Sequence, residues 1–244
     1  MTKSRLDEAL VARHLSPSRS RARDMVLRGS VMVNGAVNTK PSKTIFEADN
    51  IEVTDTAQHF VSRAALKLVH ALDHFNLSPR DKFCLDIGAS TGGFTQVLLE
   101  RGARHVVALD VGHGQLVPML ADDPRVTSIE GQNARDLSNL ELAGEPEFIT
   151  ADVSFISLQL ALPPALALAM SGANLVALVK PQFEVGRERL PRDGVVKNPD
   201  LHEAVCADIS RFVEGEGWIV LGIVASPIEG GDGNREFLLA ATKT

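Results

Sequence analysis

The sequence predicts an α/β protein in which a mostly parallel, seven-stranded sheet follows a small N-terminal α+β domain. From about residue 62 onward, short apolar runs typical of buried strands alternate with segments of helical periodicity. The first of these runs, Phe83–Ile87, leads directly into a glycine-rich turn. The last two runs are separated by a short turn-rich segment, which predicts one antiparallel strand at the end of the chain.

Charge divides the 244-residue chain into a basic part and an acidic part, although the net charge is −6. Residues 1–45 contain nine Lys and Arg against three Asp and Glu, a net charge of +6. The remainder contains 16 basic and 28 acidic residues, a net charge of −12. The N-terminal part is therefore the candidate for binding a polyanion.

The bulk composition favours a globular protein of the cytoplasm. Hydrophobic residues make up 44% and charged residues 23% of the chain. The first residues lack the apolar core of a signal peptide, and no apolar run approaches the roughly 20 residues of a membrane helix. Two cysteines are too few for a disulfide framework or a zinc site, so we expect no metal partner. The lack of a long apolar run likewise predicts no membrane partner.

The first 55 residues predict two short helices and a hairpin. Apolar residues recur at helical spacing over Arg5–Leu15, and Ser16-Pro17 signals the start of a second helix that ends near Arg28. A hairpin follows with Asn34-Gly35 at its tight turn, and a strand is predicted at Ile51–Val53.

This segment resembles the S4-type RNA-binding domain in the stretches RLDEAL, SRSRARDMVLRG, VMVNG, KPS and DNIEV. The resemblance implies an S4-type domain at residues 1–55, a linker at 56–61 and a second domain at 62–244. Its candidate RNA-contacting residues are Arg5, Arg19, Arg21, Arg23, Arg28, Lys40 and Lys43. The alternative for these cations is an ordinary solvated helix face.

The glycine-rich turn, D-I-G-A-S-T-G-G-F, lacks the spacing of the dinucleotide fingerprint and the Gly-Lys-Ser/Thr of a P-loop. It resembles the S-adenosylmethionine loop of class I methyltransferases, which have a Rossmann-like fold. The resemblance implies cofactor contacts from Asp86, Gly88, Ala89, Ser90, Thr91, Gly92, Gly93 and Phe94. The alternative is a glycine turn in another nucleotide-binding α/β protein.

Polar residues at the ends of later strands extend this candidate site. Asp110 closes the apolar run HVVALD, where one carboxylate accepts hydrogen bonds from both ribose hydroxyls. Asn133 is a candidate to read the adenine edge, or else a turn asparagine. Asp152 and Lys180 each follow an apolar strand, which predicts that both lie near the ligand-binding edge of the sheet.

Transfer of a methyl group to an alcohol needs alignment of the reacting groups, exclusion of water and a base for the hydroxyl proton. A lysine serves as such a base when burial or a second cation lowers its pKa. Lys67, Asp152, Lys180 and Glu236 are the candidates for this chemistry. Taken singly, Lys67 could be a solvated helix lysine, Asp152 a helix cap and Glu236 a strand residue that faces water.

The order K…D…K…E around this loop resembles the FtsJ-type ribose 2′-O-methyltransferases. With the S4-type domain in front, the chain resembles the TlyA (hemolysin A-type) family in VSRAALKL, LDIGASTGGF, ITADVSFIS, LVKPQFE and GNREFLL. The resemblance implies 2′-O-methylation of cytidine in ribosomal RNA of the large subunit. Because the chain is slightly shorter than the family's longer members, the small subunit stays open. In this scheme Lys180 is the base, Asp152 and Glu236 position it, and Lys67 tunes it.

Three other functions stay open at this point. The family's older name suggests a cytolysin, and a non-catalytic factor could bind ribosomes and use the cofactor only structurally. A DNA or protein methyltransferase is more remote, because V-S-F follows Asp152 in place of an N-P-P-Y-like motif. The long charged segment from Glu184 to Pro199 is a candidate lid, and Phe183 is a candidate to stack on a base or to pack in the core.

Overall fold

The computed structural model describes residues 3–16, 18–54, 59–139, 142–230 and 233–244. Its contacts divide the chain into two compact units, Met1–His59 and Phe60–Thr244. Half of the predicted linker, residues 56–58, lies outside the described residues.

The described residues of the N-terminal unit form two helices and two small sheets. Its elements in chain order are β1 (Lys3–Arg5), α1 (Leu6–Ala12), α2 (Arg19–Leu27), β2 (Val31–Val33), β3 (Ala36–Val37), β4 (Thr44–Phe46) and β5 (Ile51–Val53). Strands β1 and β4 pair antiparallel, and β2 lies between β3 and β5 in an antiparallel three-stranded sheet. The hydrophobic core of this unit includes Leu6, Leu10, Met25, Val26 and Ile45.

The hairpin and the strand at Ile51–Val53 confirm the sequence prediction, but the first helix is shorter than predicted. Lys3–Arg5 pairs with Thr44–Phe46, so the helix begins only at Leu6, and it ends at Ala12, just before His14 adopts a φ of 57°. The pair β1–β4 was missed because three-residue strands carry too little periodicity to be recognised.

The second unit is a layered α/β domain. Its elements in chain order are α3 (Ala65–Phe75), β6 (Phe83–Ile87), α4 (Gly93–Glu100), β7 (His105–Asp110), α5 (Pro118–Ala121), β8 (Val126–Glu130), a 3₁₀ helix (Ala134–Asn139), β9 (Phe148–Ala151), α6 (Leu158–Ala161), α7 (Pro163–Leu168), β10 (Asn174–Val179), α8 (Pro181–Glu184), α9 (Pro199–Gly215), β11 (Trp218–Ala225) and β12 (Phe237–Lys243).

The seven strands form one sheet in the order β11-β12-β10-β9-β6-β7-β8. Strand β12 runs antiparallel to both of its neighbours, whereas β10, β9, β6, β7 and β8 pair in parallel. This topology confirms the predicted seven-stranded, mostly parallel sheet with one antiparallel strand. Strands β6, β9 and β10 are almost entirely buried because helices cover both faces of the sheet.

Several element boundaries differ from the sequence prediction. The helix expected from Ser62 begins at Ala65, and the helix expected from Gln115 begins at Pro118. The single helix expected over Ile156–Met170 is two short helices, because Ser157 caps the first and Pro163 starts the second. Pro181–Glu184 forms an unexpected helical turn directly after β10.

Within the described ranges, no helix is both long enough and apolar enough to cross a membrane. The same residues contain no group of three or more His, Cys, Asp or Glu side chains arranged to hold a metal ion.

Candidate active site

A cavity of about 650 Å³ opens at the carboxyl edge of the parallel strands, a size typical of small-molecule sites. Its walls come from the loops that follow β6, β7, β8 and β9. The predicted site residues among its lining are Gly88, Ser90, Asp110, Asn133 and Asp152.

The glycine loop follows the surface of the neighbouring strands closely. Gly88 has a φ of +80°, and a Cβ at this position would lie 2.5 Å from the backbone oxygen of Asp152. The N–H groups of Gly88 and Ala89 donate to the carbonyl of Leu109 at 2.8 and 3.1 Å. The loop is therefore pinned between β7 and β9, with its outer side toward the cavity.

Not every residue of the loop motif reaches the cavity. Ala89 and Phe94 are buried, Gly92 and Gly93 start helix α4, and Thr91 is exposed outside the cavity lining. These residues shape the loop in the structure and do not line the cavity.

Asp86 lies completely buried beneath the loop and outside the cavity lining. Its two carboxylate oxygens accept hydrogen bonds from the hydroxyl groups of Thr95, at 2.7 Å, and Thr150, at 2.9 Å. Burial raises the pKa of Asp86 to about 6, although these hydrogen bonds oppose the shift. The side chain ties β6 to α4 and β9, so it supports the loop from below.

Asp110 ends β7 at the cavity wall. Its Oδ2 accepts from the N–H of Ser90 at 2.8 Å, and its Oδ1 accepts from the N–H of Gly112 at 2.7 Å. An ionised carboxylate has about four acceptor positions, so two remain for a ligand's hydroxyl groups.

Glu130, which the sequence reasoning missed, fixes the loop beyond Asp110. Its carboxylate accepts from the N–H groups of Gly114, Gln115 and Leu116, and these hydrogen bonds lower the pKa of Glu130. The signal was present in the sequence, because Glu130 ends the third strand of the sheet as Asp110 ends the second.

Asn133 lines the cavity opposite the glycine loop. Its Oδ1 accepts from both the backbone N–H and Nε of Arg135, at 3.0 and 3.2 Å. This arrangement matches the turn asparagine that the sequence offered as an alternative. Because Oδ1 is occupied by Arg135, the amide nitrogen of Asn133 is the atom left to donate a hydrogen bond to a ring nitrogen of a ligand.

Strand register brings three of the four candidate catalytic residues to one edge. Strands β10 and β12 end their pairing at Val179 and Phe237, so Lys180 and Glu236 occupy the next positions. Strand β9 ends at Ala151, and Asp152 follows it at the same edge. The antiparallel direction of β12 is essential, because this strand begins where its parallel neighbours end.

The four side chains form two ion pairs with little exposure to solvent. Nζ of Lys180 lies 2.6 Å from Oδ1 of Asp152 and donates a hydrogen bond to Oγ of Ser154 at 2.8 Å. Nζ of Lys67 donates to Oε2 of Glu236 at 2.5 Å. The exposed fractions of the Lys67 and Glu236 side chains are 7% and 3%, so the solvent-facing alternatives for these two residues are wrong.

The Lys180–Asp152 contact is an ion pair without hydrogen-bond alignment. Within the described part of the chain, Oδ1 of Asp152 is buried and has no hydrogen-bond donor. Nζ of Lys180 makes its aligned hydrogen bond with Ser154 instead.

Two phenylalanines stand beside this ion pair. Phe155 has a left-handed backbone with a φ of 64° and is 91% exposed, which is unusual for a large apolar residue. Its ring lies 5.2 Å from that of Phe183, whose ring centroid is 5.9 Å from Nζ of Lys180. The sequence pointed to Phe183 but missed Phe155, because neither exposure nor a positive φ can be read from the stretch SFIS.

The charged segment predicted as a lid is fastened at its C-terminal end. The buried Asn234 accepts from the N–H of Val196 and donates to the carbonyl of Gly194, both at 3.1 Å. Nε2 of the buried His202 lies 2.7 Å from the carbonyl of Val196. These contacts hold the C-terminal part of the segment at Gly194 and Val196.

In the N-terminal unit, some candidate RNA-binding arginines also hold the fold together. The carboxylate of the buried Asp7 pairs with Nε of Arg5 at 2.9 Å and with Nε of Arg19 at 3.1 Å. The hydrogen bond from Arg5 lowers the pKa of Asp7. Arg28 lies 2.9 Å from Asp24, with only 15% of its side chain exposed. Of the other candidates, Arg23 and Lys40 are exposed, whereas Arg21 and Lys43 are half-buried.

Comparison with known families gives a match to each unit. The family model for FtsJ-like methyltransferases matches residues 60–243, and that for the S4 domain matches residues 4–51.

Among similar proteins, the 16S/23S rRNA (cytidine-2′-O)-methyltransferase TlyA of Mycobacterium tuberculosis is 43% identical over 97% of this chain and 89% of its own length. Hemolysin A of Brachyspira hyodysenteriae is 42% identical over 96% of this chain and 98% of its own length. A solved structure of a provisionally assigned hemolysin from Streptococcus thermophilus has a TM-score of 0.77 and 42% identity, and the match covers 100% of this chain and 90% of that one.

The chain therefore belongs to the TlyA family of FtsJ-like methyltransferases, which carry an S4 domain at the N-terminus.

The buried carboxyl of Asp86 generates a prediction about stability. Because its pKa rises from 3.8 to about 6 on folding, its contribution to the free energy of unfolding is largest below about pH 3.8 and falls as the pH rises through 6. We expect a loss of about 2 kcal/mol between about pH 4 and about pH 7 in the wild type relative to Asp86→Asn. Urea unfolding at both pH values measures this difference.

The control is Asp73→Asn, which makes the same substitution at an exposed position of the same unit. For Asp86→Asn, the difference in free energy of unfolding from the wild type should change between the two pH values, and for Asp73→Asn it should not. If this difference is the same at both pH values for Asp86→Asn as well, Asp86 is not the group that titrates on folding.

Proposed function

We propose that the protein transfers a methyl group from S-adenosylmethionine to the ribose 2′-hydroxyl of a cytidine in ribosomal RNA. The observation that carries this proposal is the pair of buried ion pairs, Lys180–Asp152 and Lys67–Glu236, at the sheet edge beside the cavity. The large-subunit RNA is the first candidate substrate and the small-subunit RNA the second, because relatives carry the names 23S and 16S/23S rRNA methyltransferase.

The cavity residues fit a bound S-adenosylmethionine. Because Gly88 has no Cβ, the backbone of Gly88 and Ser90 can approach the cofactor closely. The carboxylate of Asp110 would hold the ribose hydroxyls, and the amide of Asn133 would contact the adenine. When bound, the cofactor supplies an electrophilic methyl group on its sulfonium.

In this proposal the ammonium of Lys180 first loses a proton to solvent, and the neutral amine then holds the ribose hydroxyl and takes its proton on its lone pair. Nζ of a lysine has three positions around it besides its bond to carbon. A hydrogen bond to Ser154 takes one, and the close contact with Asp152 covers a second, so the third is available for the substrate oxygen. Asp152 and Ser154 thereby fix the direction of that position. Lys67 and Glu236 form a closed pair next to Lys180 and complete the charge balance of the edge.

Phe155 supplies an exposed aromatic face for the base of the target nucleotide, and Phe183 supports it from behind. An unstacked pyrimidine binds such a face because every base has a π surface. The platform and the amine would thus act on the same nucleotide, one on its base and one on its ribose.

The S4 domain is proposed to bind the structured RNA around the target. Its exposed cations Arg23 and Lys40 and the half-exposed guanidinium groups of Arg5 and Arg19 suit phosphate contacts.

Lys180→Ala tests the chemistry. We expect methyl transfer to ribosomal RNA to fall by about 10²-fold or more, because the base is lost, while RNA binding stays within about twofold. Incorporation of labelled methyl into ribosomal subunits and a filter-binding assay measure the two quantities.

The matched control is Lys197→Ala, which removes an exposed lysine paired with Asp193. Methyl transfer by Lys180→Ala at the wild-type rate would refute the role of Lys180. A wild-type protein that binds subunits but methylates neither RNA would instead favour the assembly-factor alternative.

Asp110→Asn tests the cofactor site. The substitution removes the charge that strengthens hydrogen bonds from ribose hydroxyls, so we expect the Kd for S-adenosylhomocysteine to rise about tenfold or more in calorimetry. Asp123→Asn, in a turn outside the cavity, should leave the Kd unchanged. Equal Kd values for both variants would move the ribose site elsewhere.

Arg23→Ala tests the RNA surface of the N-terminal unit. Loss of one phosphate contact should weaken RNA binding and reduce the slope of log affinity against log salt by about 1. Arg125→Ala, which removes an arginine paired with Asp123 in the catalytic unit, is the control. An unchanged salt slope in Arg23→Ala would mean that Arg23 faces solvent in the complex.

A further inference from the structure

A carboxylate outside the four candidate catalytic residues braces the loop that carries two of Lys180's partners. Glu184 ends α8, four residues after Lys180. Its Oε2 accepts a hydrogen bond from Oγ of Ser157 at 2.6 Å, and its Oε1 accepts from the N–H of Leu158 at 2.8 Å. Both oxygens thus hold the far end of the loop that follows β9.

This loop, residues 152–157, is connected to the Lys180–Glu184 segment at three places. Lys180 meets Asp152 and Ser154 at one end. The rings of Phe155 and Phe183 meet in the middle at 5.2 Å. Glu184 closes the other end, so the loop is held along its whole length by one short segment.

The backbone of the loop needs such support. Phe155 has a left-handed backbone, which is unfavourable for an aromatic residue and persists only where neighbouring contacts hold it. Its side chain is exposed and contributes little packing of its own, apart from the contact with Phe183. Burial raises the pKa of Glu184, so a partly desolvated carboxylate is retained at this position.

We propose that Glu184 is a positioning residue for methyl transfer: it holds the 152–157 loop so that Asp152 and Ser154 orient Lys180 while Phe155 faces the target base. The proposal rests on the function proposed above and adds a residue to it. The simpler role for Glu184 is to support the start of helix α6, because the N–H of Leu158 donates to its carboxylate. A cap stabilises the fold but does not act on the rate of the chemical step.

Glu184→Ala, Glu184→Gln and the control Glu147→Ala separate the two roles. Glu147 is a matched carboxylate, because it accepts from the N–H of Phe83 at the opposite edge of the sheet and pairs with Arg104. We expect kcat of Glu184→Ala to fall by about tenfold to a hundredfold, since the base and the platform lose their alignment. The KM for S-adenosylmethionine should change by less than about threefold.

Glu184→Gln should restore kcat to within about threefold of the wild type. Glutamine can accept from the N–H of Leu158 through its oxygen and donate to Oγ of Ser157 through its nitrogen. Glu147→Ala should lose thermal stability without losing kcat. Should Glu184→Ala not fold, Ser157→Ala removes one of the two partners and should lower kcat by a few-fold.

The positioning role is refuted if Glu184→Ala keeps kcat within about twofold of the wild type while its melting temperature falls as in Glu147→Ala. It is also refuted if Ser157→Ala loses thermal stability but keeps full kcat. The wild type is assayed first, and absence of methyl transfer there would refute the proposed function itself. The role of Glu184 is tested only against an active wild type, so the two failures are distinguishable.

Discussion

The ion pair between Lys180 and Asp152 is the interaction on which the candidate site depends. Both residues stand one position beyond the ends of adjacent parallel strands, so the backbone itself brings an ammonium and a carboxylate together. The pair is largely buried, and loss of either partner would leave an uncompensated charge in a region of low polarity. The second pair, Lys67–Glu236, depends on the same edge, because only an antiparallel strand can begin there.

The glycine loop and the candidate catalytic edge are joined through the backbone. Gly88 lies so close to the carbonyl of Asp152 that a side chain at this position would push the two apart. Asp86 supports the same loop from below through two threonine hydroxyl groups. A single compact set of contacts therefore shapes both the cavity and the position of the Lys180 amine.

The sequence predicted the sheet, its single antiparallel strand and the set of residues at its edge, because long apolar runs and strand-end polar residues are local signals. It did not predict the burial of Lys67, which lies outside the expected stripe of α3 and is buried in an ion pair with Glu236. The same limit hid Phe155 and Glu184, because their roles depend on an unusual backbone angle or on contacts with a segment distant in sequence. Glu130 was overlooked although it stands at a strand end, where the sequence carries a signal.

The most direct test of the central claim is a structure of the protein on a ribosomal subunit with S-adenosylhomocysteine bound. The account predicts that the 2′-oxygen of the target cytidine lies about 3 Å from Nζ of Lys180, with its base against Phe155. The account is contradicted if the 2′-oxygen lies more than about 6 Å from Nζ of Lys180. It is also contradicted if a side chain other than Lys180 contacts that oxygen as the proton acceptor.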